Sequence, residues 1–186
     1  AIFASKRDVF HPYWGHNAIG YSITVQLLDV LTEFETLNIV HAALNPANIC
    51  FNEDTGTIVV KNFRWSVEAG STVTATHVAH FIKDGMDDYV APELAEFLMH
   101  QSIDLSNTRP TLVSYGIERE TATANIPPET LIIQPSLDVY AVGVLIGTVK
   151  KYVKQHRDET EGVINNMMHI NPEHRPSASV ALSILA

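Results

Sequence analysis

Apolar residues recur at Ile19, Ile23, Leu27, Val30, Leu31 and Phe34, the three-and-four spacing that lines one face of a helix. The pattern predicts an amphipathic helix from Ile19 through Leu37, ended by Asn38, with Ile39 and Val40 as a short extended segment. The period then changes. Ile49–Phe51 and Thr57–Lys61 are β-prone runs separated by the turn formers Asn52, Asp54 and Gly56, which predicts a hairpin. Residues 64–90 are rich in Ser, Thr and His, lack periodicity and read as a long loop. Helix is expected again over Ala91–His100, where Pro92 suits the first turn.

Residues 101–135 carry Pro110, Pro127, Pro128 and Pro135 without a period and read as an irregular insertion. Its most apolar part, Thr111 to Ile117, suits an interface strand or a patch over the core equally well. Ser136 is a candidate cap for an apolar helix from Leu137 to about His156. The small Ala141, Gly143 and Gly147 in it would admit a neighbouring backbone. A short helix near Thr160–His169, a turn over Asn171–Pro176 and a last helix from Ser177 complete the pattern. Residues 1–17, with His11, Pro12, Tyr13, Trp14 and Gly15, read as an irregular lead-in, and 18–186 as one domain. Because the chain opens on Ala1 rather than Met, further chain is expected upstream.

Composition narrows the class. With 186 residues, 46% of them hydrophobic and 18% charged, the chain can bury one sizeable core. A net charge of −9 without a basic cluster argues against a nucleic-acid partner. The longest apolar run, Val139 to Val149, falls short of the roughly 20 residues of a membrane span, so none is expected. Cys50, the single cysteine, reads as a buried inert thiol in a reducing, intracellular and most simply cytoplasmic setting. His77, His80 and His100 lack a cysteine or paired carboxylate at ligand spacing, so they read as ordinary histidines and no metal site is expected. Glu33, Glu35, Asp87 and Asp88 read as solvated or capping carboxylates, and Trp14 and Trp65 as core residues or partner anchors.

Five short motifs follow one another in order. They are His41-Ala42-Ala43-Leu44-Asn45-Pro46-Ala47-Asn48, Asn62-Phe63-Arg64, Ala91-Pro92-Glu93, Asp138-Val139-Tyr140-Ala141-Val142-Gly143 and Asn171-Pro172-Glu173-His174-Arg175-Pro176. From about residue 18 to 186 this order resembles the C-terminal lobe of a protein kinase. The resemblance implies a mainly α, C-lobe-like helical domain with a small β hairpin. The first forty residues hold no Gly-rich loop and no lysine strand, so the N-terminal small lobe is expected to be missing.

The departures from the family's pattern fall on its chemistry. Ala43 stands where the resemblance implies the catalytic Asp, Asn45 the phosphate-steadying Lys, and Asn62 the metal-binding Asp. Ala42 replaces the Arg that orders a phosphorylated loop, so Ser66, Ser71, Thr72, Thr74 and Thr76 read as solvated hydroxyls. Arg64 replaces a switching glycine, which implies a locked segment, and Asn48 is a vestigial ligand position. Losing a positioned acid or base costs about 10²- to 10⁴-fold in rate. What the resemblance retains is structural: His41, Phe63 packed in the core, Asp138 accepting from the backbone near His41, and Glu93 paired with Arg175.

The stretch between Glu93 and Asp138 is longer than the family uses and that between Asp138 and Arg175 shorter, which implies a new surface and a reduced docking helix. The expectation is therefore a catalytically inactive protein-kinase-like domain, without cofactor, that binds other proteins as a scaffold or structural subunit of a multi-subunit assembly. The alternative is a nucleotide-binding regulator completed by a missing small lobe or a partner chain; an unrelated helical interaction module is the third reading.

Overall fold

The structure, a computed structural model, describes residues 17–52, 54–74, 89–100, 130–150 and 157–185. Five helices and three two-stranded antiparallel sheets form among them, a mixed α/β arrangement. The predicted lead-in with Trp14, the residues Thr76, His77, His80, Asp87 and Asp88, and the run from Thr111 to Ile117 lie outside the described residues.

Helix α1, Asn17–Thr36, buries Ile23, Leu27, Leu31 and Phe34 as the spacing predicts, and widens the stripe with Thr24 and Leu28. Asn38 ends it in the left-handed region at φ 57°, where its side chain donates to Glu68 Oε1 at 3.1 Å. Asn tolerates this conformation better than most residues because its short amide bonds locally.

Strand β1, Ile39–Val40, follows. Strands β2, Ile49–Asn52, and β3, Thr57–Val60, form the predicted hairpin, with Ile49 opposite Val60 and Asn52 opposite Thr57. Gln26 fastens it to α1, donating to Gly56 O at 3.0 Å and accepting from Ile58 N–H at 2.8 Å. Cys50 is half-buried in β2 opposite Val59, rather than fully buried.

Two more ribbons replace what the pattern reads as loop. Strand β4, Val67–Glu68, pairs with β1, and β5, Thr72–Thr74, pairs with β6, Thr130–Ile132. A turn joins them, in which Ser71 N–H donates to Glu68 O at 3.1 Å and Gly70 takes φ 83°. Glycine adopts that angle without the Cβ penalty. These strands are two or three residues long, too short to display a period, and their ladders close on distant partners.

Helix α2, Pro92–His100, starts at its proline as expected. Helix α3, Ser136–Lys150, begins one residue earlier than read, so Ser136 is its first residue rather than its cap. Its described length ends at Lys150, short of the expected His156. Helix α4, Arg157–Met167, starts before and stops before the predicted limits. Helix α5, Ala178–Leu185, is capped by Ser177, whose Oγ accepts Val180 N–H at 3.3 Å, and by Glu35, which accepts Ala178 N–H at 2.8 Å.

From Leu137 to Ile146, α3 is buried except at half-buried Val144, and apolar except at Asp138, and it separates two cores. Val139, Val142, Leu145 and Ile146 pack with α1, α4 and α5, while Leu137 and Tyr140 pack with α2 and strands β1 and β5. Among the described residues no helix is long and apolar enough to cross a membrane.

Candidate functional site

Asp138, in the first turn of α3, is buried and turns its carboxylate to the loop after β1. Oδ2 accepts His41 N–H at 2.6 Å and Oδ1 accepts Ala42 N–H at 2.9 Å. Ala42 sits at φ 60°, a left-handed angle that costs a residue with a Cβ roughly 1–2 kcal/mol. Hydrogen bonds to a charged group contribute about 1.5–3 kcal/mol each, enough to hold the strained peptide. Burial pushes the Asp138 carboxyl up to about 7, against the two N–H groups that favour its charged form.

His41 is fully buried, and its partners define its tautomer. Nδ1 accepts Ala43 N–H at 3.3 Å, so Nε2 carries the proton and donates to Lys61 O at 3.1 Å. Burial lowers its pKa, partly offset by the Lys61 carbonyl. Phe34 stacks on its ring at 6.1 Å, and Phe63 meets its edge at 4.9 Å. Phe63 is 46% exposed, which corrects the expected core position. The 3₁₀ turn Phe63–Trp65, entered through Asn62 at φ 68°, holds the ring over His41 from outside.

Asparagines close the rest of the loop. Asn45 caps the 3₁₀ turn Pro46–Asn48, accepting Ala47 N–H at 2.8 Å and donating to Ala43 O at 3.0 Å. Asn48 Nδ2 donates to the same carbonyl at 2.7 Å, and its Oδ1 accepts from Asn62 Nδ2 at 3.2 Å. The polar side chains of the loop are thus engaged with its own backbone and with each other. Ala43 contributes only a methyl group, so the loop presents no proton acceptor there. Arg64 is exposed and lies 4.7 Å over the half-buried ring of Trp65, which also packs against the second core.

A second anchor stands across α3. Arg175 makes two 2.7 Å bonds to Glu93, and donates to Ser136 O at 2.9 Å, His169 O at 2.8 Å and Ile170 O at 3.4 Å. All five guanidinium N–H groups are therefore used. The cation also lies 5.0 Å over the Tyr140 ring. This one side chain ties the starts of α2 and α3 to the turn between α4 and α5.

Beside the first anchor lies a cavity of about 20 Å³, walled by Ala42, Ala43, Tyr89, Leu94, Leu137 and Asp138 among others. Among the described residues no three His, Cys, Asp or Glu side chains gather as metal ligands. The sequence pattern did not single out Gln26 or the Lys61 carbonyl; their roles depend on neighbours brought by folding, and no local pattern marks them. No model of a known protein family matches this chain, and no curated protein matches it significantly.

Proposed function

We propose that the chain is a catalytically inactive protein-kinase-like module, resembling a C-terminal lobe, that serves as a protein-binding scaffold or structural subunit of a larger assembly. The observation that carries this reading is the self-satisfied loop from His41 to Asn48. Asp138, His41, Asn45 and Asn48 spend their hydrogen bonds on loop geometry. At the positions where the resemblance implies a base, a cation and a metal-binding carboxylate stand Ala43, Asn45 and Asn62. A neutral amide oxygen is a weak substitute for a carboxylate toward a divalent cation. The frame survives in this reading because α3 and the hairpin need the loop for packing. Apolar side chains on the surface support protein contacts: Val180 and Ile184, one turn apart on α5, are about half exposed.

The test is a thermal-shift titration with ATP and Mg²⁺, run beside a native-mass measurement. A ligand at 100 times its dissociation constant stabilises by about 2.7 kcal/mol, which is readily seen as a raised Tm. The expected result is an unchanged Tm and a mass above that of the monomer. A Mg²⁺-dependent rise in Tm would overturn the inactive-scaffold reading in favour of a nucleotide-binding regulator.

A further inference from the structure

We infer that the cavity beside Asp138 is a binding site for a primary alkylammonium group, supplied by a lysine side chain of a partner protein. Three observations converge on it. The first is a buried acid without a counter-ion: Asp138 is 3% exposed and has no cationic partner among the described residues. Each carboxylate oxygen accepts one backbone N–H, which leaves each a further lone pair. Burial raises the pKa of this carboxyl, and among the described residues only the two backbone N–H groups oppose it.

The second observation is room in the right place. The cavity of about 20 Å³ lies directly against Asp138, and the methyl groups of Ala42, Ala43 and Ala141 leave it open. A void of that size holds one or two water molecules, hence an ammonium head, but not a guanidinium or a quaternary amine. The third is the chemistry of the walls. Leu94, Leu137 and Val90 are apolar, so they suit the methylene stem behind a charged head and offer nothing to a hydrated metal ion. Tyr89 and Asp138 are the titratable groups among the walls, and His41 meets Asp138 only through its backbone while its neutral ring faces Lys61 O.

The lysine source rests on the protein-binding reading above, whereas the ammonium site does not. The test is an NMR titration of the whole ¹⁵N-labelled chain, following the His41 and Ala42 amides that bond to Asp138. Methylammonium chloride should shift both saturably, and tetramethylammonium chloride at equal ionic strength should not. N-acetyl-lysine amide should reproduce the shift, and N-acetyl-norleucine amide should not.

Asp138→Asn should weaken methylammonium binding at least tenfold. Ala141→Val, which fills the cavity and keeps the carboxylate, should do the same and serves if the first variant fails to fold. Equal or non-saturating shifts with the two ammonium salts would mean screening alone and would overturn the site. Saturation by methylammonium with a silent lysine amide would overturn the lysine assignment. The ATP titration reads nucleotide binding rather than ammonium binding, so failure of the inactive-scaffold reading is separately visible.

Discussion

His41 illustrates how a buried side chain becomes dependent on one protonation state. Its Nδ1 must accept from Ala43 N–H, and a proton there would set donor against donor. Burial lowers its folded pKa from 6.5, partly offset by the bond to the Lys61 carbonyl. Below 6.5 the unfolded chain binds this proton more readily, so the contribution is complete above that pH and is lost as pH falls. The stability difference between the chain and His41→Phe, followed by urea melts, should be largest near neutrality and shrink on acidification.

Asp138 has the opposite sign. Its folded pKa of about 7 lies above the ordinary 3.8, so between these values the folded state binds the extra proton and stability falls as pH rises. Asp138→Asn should remove that downward slope. A ¹³C titration of the carboxyl that found an ordinary acidic value would refute this assignment. At Ala42, φ 60° makes a β-branched residue far worse than alanine. Ala42→Val is expected to destabilise by about 1–3 kcal/mol, whereas Ala42→Gly should be near neutral because relief of strain offsets the added chain entropy.

Among the elements, α3 and α4 pack closely at one glycine and not at the other. A Cβ on Gly143 would stand 2.9 Å from Met168 Cγ and 3.0 Å from Met167 Cβ, closer than packed atoms tolerate. Overpacking of this kind typically costs about 1–3 kcal/mol, against a helix-propensity gain of about 1 kcal/mol. At Gly147 the nearest atom is Ile164 Cγ2 at 3.5 Å, an ordinary contact, so only the propensity gain remains. Gly143→Ala should therefore lower stability and Gly147→Ala raise it by about 0.5–1 kcal/mol, in thermal melts of the two variants side by side. Equal effects would show that the helices can separate to accept the methyl.

At the scale of the molecule, Arg175 adds a polar tie between elements that the two apolar cores already hold together, joining the starts of α2 and α3 to the turn before α5. Removing one partner of a buried pair strands the other, at a cost of about 3–5 kcal/mol. Arg175→Ala should approach that loss in equilibrium unfolding, and Arg175→Lys should recover little, because one ammonium cannot supply five fixed donors. Near wild-type stability in Arg175→Lys would show that charge alone suffices there.

The amino-acid sequence by itself determined α1, the β2–β3 hairpin, the apolar α3 and a last helix close to Ser177, because each rests on a spacing or a turn residue within a few positions. It also marked Asp138, Glu93 and Arg175 as candidates through a resemblance in motif order. Only the tertiary structure decided that β4 and β5 are strands, that Phe63 stands outside the core, and that Asp138 borders a cavity. These features depend on partners far along the chain: the Asp138 bond to His41 spans 97 positions, and the Arg175 bonds to Glu93 span 82. A backbone group finds such a partner only after the helices have packed, which is why no local period announces it.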